Sequence, residues 1–118
     1  MSIFIETSKD PLRIVSRGHA TGAGLAGSNL VCCAVSTLLY TLLSAADGKG
    51  MVAGLSVADG YMDLRLEPGA GREAEADCMV ETVLSGLESL ASQYPAWITL
   101  RRGKDPVPAG AESRERTE

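Results

Sequence analysis

Histidine is almost absent: the chain of 118 residues contains one. Aromatic residues are scarce as well, with one Trp, one Phe and three Tyr. A platform that stacks bases needs several exposed rings, so single-stranded nucleic-acid binding is disfavoured. Basic residues are outnumbered, 11 against 15 acidic, for a net charge of -4. No basic stripe forms, since Arg101 and Arg102 are only a pair, and direct nucleic-acid binding is not expected. Cysteine is limited to three residues, two of them adjacent. Neighbouring cysteines strain to pair, and the spacing builds no disulfide framework. A reducing, cytoplasmic setting is therefore expected. The first residues, MSIFIETSKD, have neither the basic start nor the apolar run of a secretory leader. The longest apolar stretch, Leu30–Ala46, is 17 residues and carries Ser36, Thr37, Tyr40, Thr41 and Ser44. That is short and hydroxylated for a bilayer span, so a buried core helix is expected and no membrane partner. No C-x-x-C or H-x-x-x-H spacing exists, and neither a metal nor a cofactor is expected.

What is present reads as one α+β domain over residues 1–102, followed by a polar, proline-bearing tail at 103–118 expected to be disordered. Ile3–Glu6 and Leu12–Arg17 read as strands joined by a turn at Ser8–Pro11. Ser28 and Asn29 are good N-caps for a helix over Leu30–Ala46, which Asp47-Gly48 should end. Being apolar nearly all round, this helix is expected to be covered on several sides. Met51–Ala58 and Tyr61–Glu67 read as a hairpin around Asp59-Gly60. Alternation puts Tyr61, Asp63, Arg65 and Glu67 on one face and Met62, Leu64 and Leu66 on the other. A second helix is expected from Arg72 to Gln93, buried along Ala76, Val80, Val83, Leu87, Leu90, Ala91 and Tyr94. Ala96–Arg102 closes the order β-β-α-β-β-α-β, with two helices packed on a mixed or antiparallel sheet.

The chemistry concentrates at one place. His19 precedes Cys32 by thirteen residues, across a loop from Gly18 to Gly27 that also holds Gly22 and Gly24. The loop lacks the lysine and spacing of a phosphate-binding loop. If Ser28 or Asn29 caps the helix, Cys32 falls in its first turn. The free amides there would stabilise a thiolate and could hold an oxyanion. An imidazole brought to that thiolate completes the minimum for thiol nucleophilic catalysis. Ser36 lies one turn after Cys32 on the same face and can bond the thiol or the substrate. Cys33 is rotated about 100° from Cys32 and is expected in the core, whereas Cys78 is expected to be exposed.

The segments GHA at Gly18–Ala20 and NLVCCAVSTLL at Asn29–Leu39 resemble the ribosomal-processing cysteine proteases called Prp. The resemblance implies that His19 and Cys32 are the catalytic pair. Ser36, Asn29, Gly22, Gly24 and Gly27 then support the site or touch the substrate. It implies a substrate too: the N-terminal extension of large-subunit ribosomal protein number twenty-seven, removed after a pair of phenylalanines. It further implies a homodimer and a loop that moves when peptide binds. The family commonly has Asp where this chain has Asn29. The rival reading is a non-enzymatic, ribosome-associated module that binds peptide in the same groove.

Overall fold

The computed structural model describes residues 2–9, 11–18 and 26–103, the side chains of 26–29 excepted. His19, Gly22, Gly24 and the tail beyond Gly103 lie outside the described residues.

The elements are β1 (Ile3–Lys9), β2 (Leu12–Arg17), α1 (Ala26–Gly48), β3 (Val52–Ala58), β4 (Tyr61–Leu66), α2 (Glu73–Gln93) and β5 (Ile98–Arg102). They match the expected order. The sheet runs β3-β4-β2-β1-β5. Every pairing is antiparallel except β1 with β5, so the sheet is mixed. The long crossovers place α1 between β2 and β3, and α2 between β4 and β5. β1 continues to Lys9, three residues past the expected end, because each added residue finds a partner as far as Lys9 opposite Leu12.

One face of the sheet is apolar: Ile3, Ile5, Leu12, Ile14, Met62, Leu64, Leu66 and Ile98 share a core with residues of both helices. The face of β4 is as its alternation requires, and α2 buries Ala76, Val80, Val83, Leu84 and Leu87. The helices approach closely at Gly86, where an added Cβ would meet the Leu38 methyl carbons at 3.1 and 3.2 Å. The opposite face is polar and held by charge. Arg13 donates to both carboxylate oxygens of Asp63 at 2.9 and 2.6 Å, and Arg17 donates to Glu6 at 3.2 Å. Arg13, through its hydrogen bonds first, holds the Asp63 carboxyl below the ordinary carboxylate range despite partial burial.

α1 departs from expectation in three ways. It begins at Ala26, so Ser28 and Asn29 lie inside the helix instead of before it, and Gly27 belongs to the helix instead of the loop. Local cap preference is a weak force beside a further turn of backbone hydrogen bonds. The helix is also covered along one stripe only: Val31, Val35, Leu39, Leu42 and Ala46 are buried. Cys33 stands about 200° from Val31 around the axis, and it is exposed, not in the core. By length and composition Leu30–Gly48 could cross a membrane, yet its buried stripe packs into the sheet-and-helix core.

Candidate active site

Cys32 is half-buried and borders a hollow of about 380 Å³ between α1 and the end of the sheet. Val35, Leu39 and Met62 supply the apolar lining, because the buried edge of α1 meets β4 there. Ser36 borders the same hollow one turn beyond Cys32, as its helical spacing requires. Tyr40 extends that wall by a further turn and is 48% exposed. The facing wall comes from Gly18 at the end of β2 and from the Asp59-Gly60 turn between β3 and β4.

A backbone contact joins the two parts of that wall. The Gly18 N–H donates to the Gly60 carbonyl at 2.8 Å. Gly18 adopts φ +95, a left-handed conformation that suits glycine, and a Cβ there would run into the carbonyl oxygen of Ser2. The last described residue before His19 is thus held between the N-terminal segment and the hairpin turn.

The expected oxyanion donors are not where the sequence put them. Cys32 is six residues past Ala26, about 9 Å along the axis. The free amides of a helix start act within its first turn, so they do not face Cys32. A hydroxyl donor remains close by, since Ser36 shares the hollow. Asn29 and Gly27 sit in the first turn of α1, a turn before Cys32. Asp59, Tyr40, Tyr61 and Ser16 were missed as site residues, although all border the hollow. Asp59-Gly60 carried a visible signal, but only for a turn; nothing in the spacing said which strand the turn would touch.

Volume alone would not choose this hollow. One of about 460 Å³ lies at the other end of the sheet, near Lys9, Arg65 and Glu73, and has no thiol. A third, of about 300 Å³, lies near Ser8, Glu81 and Arg102. Among the described residues no cluster of metal-ligating side chains occurs.

A thiol beside an open cleft large enough for peptide side chains defines the equipment of a thiol hydrolase. The comparisons with known proteins narrow this. The family described as cysteine protease Prp matches residues 1–99, and the chain belongs to that family and is a cysteine protease. A Streptococcus mutans protein of known structure is 27% identical, with a TM-score of 0.67 over 88% of this chain and 94% of that one. The essential ribosomal processing protease Prp of Staphylococcus aureus, with a substrate peptide, is 20% identical. Its TM-score is 0.69, over 86% of this chain and 99% of that one. The same enzyme with a covalently linked product peptide gives 21% identity and a TM-score of 0.70, with the same coverage. Those two likenesses show the shared fold. No curated protein matches the chain significantly. Membership of a protease family sets aside the non-enzymatic reading.

Proposed function

We propose that the chain is an endopeptidase that removes the N-terminal extension of large-subunit ribosomal protein number twenty-seven, through His19 and Cys32. The carrying observation is that Cys32 borders the hollow whose far wall holds Gly18, the residue joined to His19. The family and the peptide complexes of the Staphylococcus aureus enzyme support the substrate class.

His19 accepts the thiol proton of Cys32, and the sulfur attacks the scissile carbonyl carbon. The developing oxyanion takes a hydrogen bond from Ser36. Collapse breaks the C–N bond as the imidazolium gives its proton to the leaving amine. Water, deprotonated by His19, then hydrolyses the thioester and restores the thiol. No metal or cofactor takes part. Aromatic side chains before the scissile bond gain affinity by covering Val35, Leu39 and Met62.

The protein acts in the cytoplasm as a homodimer and does not bind nucleic acid directly. β3 is an edge strand, and its Leu55 and Val57 are 49% and 46% exposed on the helix-side face. Leu30 and Tyr40 of α1 add exposed apolar surface. A second copy covering β3 would bury this edge. Leu55→Lys should convert the dimer to monomer in analytical ultracentrifugation; an unchanged sedimentation coefficient would place the dimer contact elsewhere.

The function is tested with a synthetic extension peptide and mass spectrometry. Wild-type protein should yield two fragments. Cys32→Ala should yield none while still binding the peptide. Cleavage by the alanine variant would remove Cys32 from the mechanism.

A further inference from the structure

The hollow beside Cys32 runs well past the thiol. On α1 it is bordered by Cys32, Ser36 and Tyr40, each four residues from the next, with Val35 and Leu39 in the adjoining row. Side chains four apart are neighbours on a helix surface, so the three form one slanting ridge. Leu43 and Ser44 continue α1 beyond it but do not border the hollow, so the wall ends at Tyr40. Cys32 and Tyr40 are eight residues apart, about 12 Å along the axis. An extended peptide advances about 3.3 Å per residue. A substrate strand lying along this wall, with its scissile carbonyl at Cys32, reaches Tyr40 with its third or fourth residue from that bond.

The direction follows from the mechanism above. Residues before the scissile bond cover Val35 and Leu39, which lie between Cys32 and Tyr40 on α1. The amino-terminal side of the peptide therefore points towards Tyr40. Tyr40 itself lies outside the buried stripe of α1 and is 48% exposed. Among the described residues no hydrogen bond or ring contact engages its side chain. The other tyrosine at the hollow, Tyr61, donates to the Asp63 carboxylate at 3.4 Å. A half-exposed ring closing one end of an apolar-floored cleft offers a flat surface that an incoming side chain can cover.

We propose that Tyr40 is a specificity-determining residue: its ring covers an apolar side chain three or four residues before the scissile bond. This inference rests on the reading of Cys32 as nucleophile and on the peptide direction given above. A charged side chain at that place would leave the ring uncovered and lose the contact.

The test is digestion of a proteome-derived peptide library by the full-length protein, with cleavage sites read by mass spectrometry. Wild type should favour an apolar over a charged residue at the third or fourth position before the bond by about tenfold. Tyr40→Ala should lose that preference and keep the one at the two positions next to the bond. Tyr40→Phe should keep both, since the ring and not the hydroxyl makes the contact. Absence of the distant preference in wild type, or its persistence in Y40A, would overturn the assignment. Loss of selectivity at every position in Y40A would also overturn it, by showing general damage to the site. Sedimentation of each variant separates a second role: a preference lost only because Y40A becomes monomeric would place Tyr40 in the dimer contact instead. A wild type that cleaves library peptides but leaves the ribosomal extension intact would overturn the substrate reading, while the library would still decide Tyr40. No cleavage of any peptide by wild type would overturn both.

Discussion

Replacing Gly18 by alanine should damage both the fold and the active site, and the structure allows the size to be worked out. The backbone at Gly18 has φ +95, which an L-residue adopts at a cost of about 1–2 kcal/mol. The new Cβ would strike the Ser2 carbonyl oxygen, which is backbone and cannot rotate away. Relief requires β2 to separate from the N-terminal segment or from the hairpin turn. The second route breaks the Gly18–Gly60 hydrogen bond, worth about 1 kcal/mol net. Together these amount to about 3 kcal/mol, on the order of 10 °C in Tm for a domain of this size. The effect on catalysis should be larger than stability alone explains. His19 is the next residue, and a shift of about 1 Å in a reacting group can cost about a hundredfold in rate. The assay is kcat/KM on the extension peptide at a temperature where the variant is fully folded, beside a thermal melt of each protein. Gly18→Ala with wild-type Tm and wild-type kcat/KM would refute the claim that this residue anchors the base. Loss of stability with full activity in the folded fraction would show that Gly18 serves the fold alone.

Iodoacetamide should modify Cys32 before Cys33 or Cys78, as read by peptide mapping. Exposure alone predicts the opposite order, because Cys33 and Cys78 are exposed and Cys32 is half-buried. His19→Ala should abolish the preference, and slow modification of Cys32 in the wild type would show that its thiol is not activated. On the polar face, Arg13→Met should cost about 2 kcal/mol at neutral pH by removing a paired, mostly buried guanidinium. The acid response should change too. Arg13 lowers the folded-state titration of Asp63, so the wild-type pair contributes stability above the unfolded carboxylate range. That contribution is lost as pH falls from about 4 through the lower folded value. Urea denaturation should therefore show a flatter dependence on pH below about 4 in the variant; parallel curves would mean that the pair does not set the acid response.

The parts of this fold that could be read from the chain are those where a period carries the information. The alternation in β4 separates Met62, Leu64 and Leu66 from Tyr61, Asp63 and Arg65, and the sheet uses that division. The stripe along α2 places Val80, Val83 and Leu87 in the core for the same reason. α1 has no such contrast. An all-round apolar helix is compatible with several rotations, and only its packing against the sheet selected Val31, Val35 and Leu39 over Cys33. The same gap affected the site. Cys32 stood out as a thiol near a lone histidine, but its distance from the helix start depended on where α1 begins. That point was decided by a turn of backbone hydrogen bonds and not by the capping residues Ser28 and Asn29.

The facing wall of the hollow was hidden for a different reason. Local signals identify Asp59-Gly60 as a turn, and they identify the end of β2, but strand order alone brings them together. The chain reaches β4 only after α1 and β3, and β4 then returns to pair with β2, Arg17 opposite Tyr61. That register sets the hairpin turn against Gly18, forty-two residues from Gly60 in sequence. In the proposed mechanism His19, at the start of the connection from β2 to α1, must be held near the Cys32 sulfur. Here one end of that connection is fixed by a long-range sheet pairing and the other by a helix packed on the same sheet. The site therefore depends on the β2–β4 register as directly as on Cys32. A one-residue slip would turn Tyr61 and its neighbours to the opposite faces and carry the Asp59 turn away from the nucleophile.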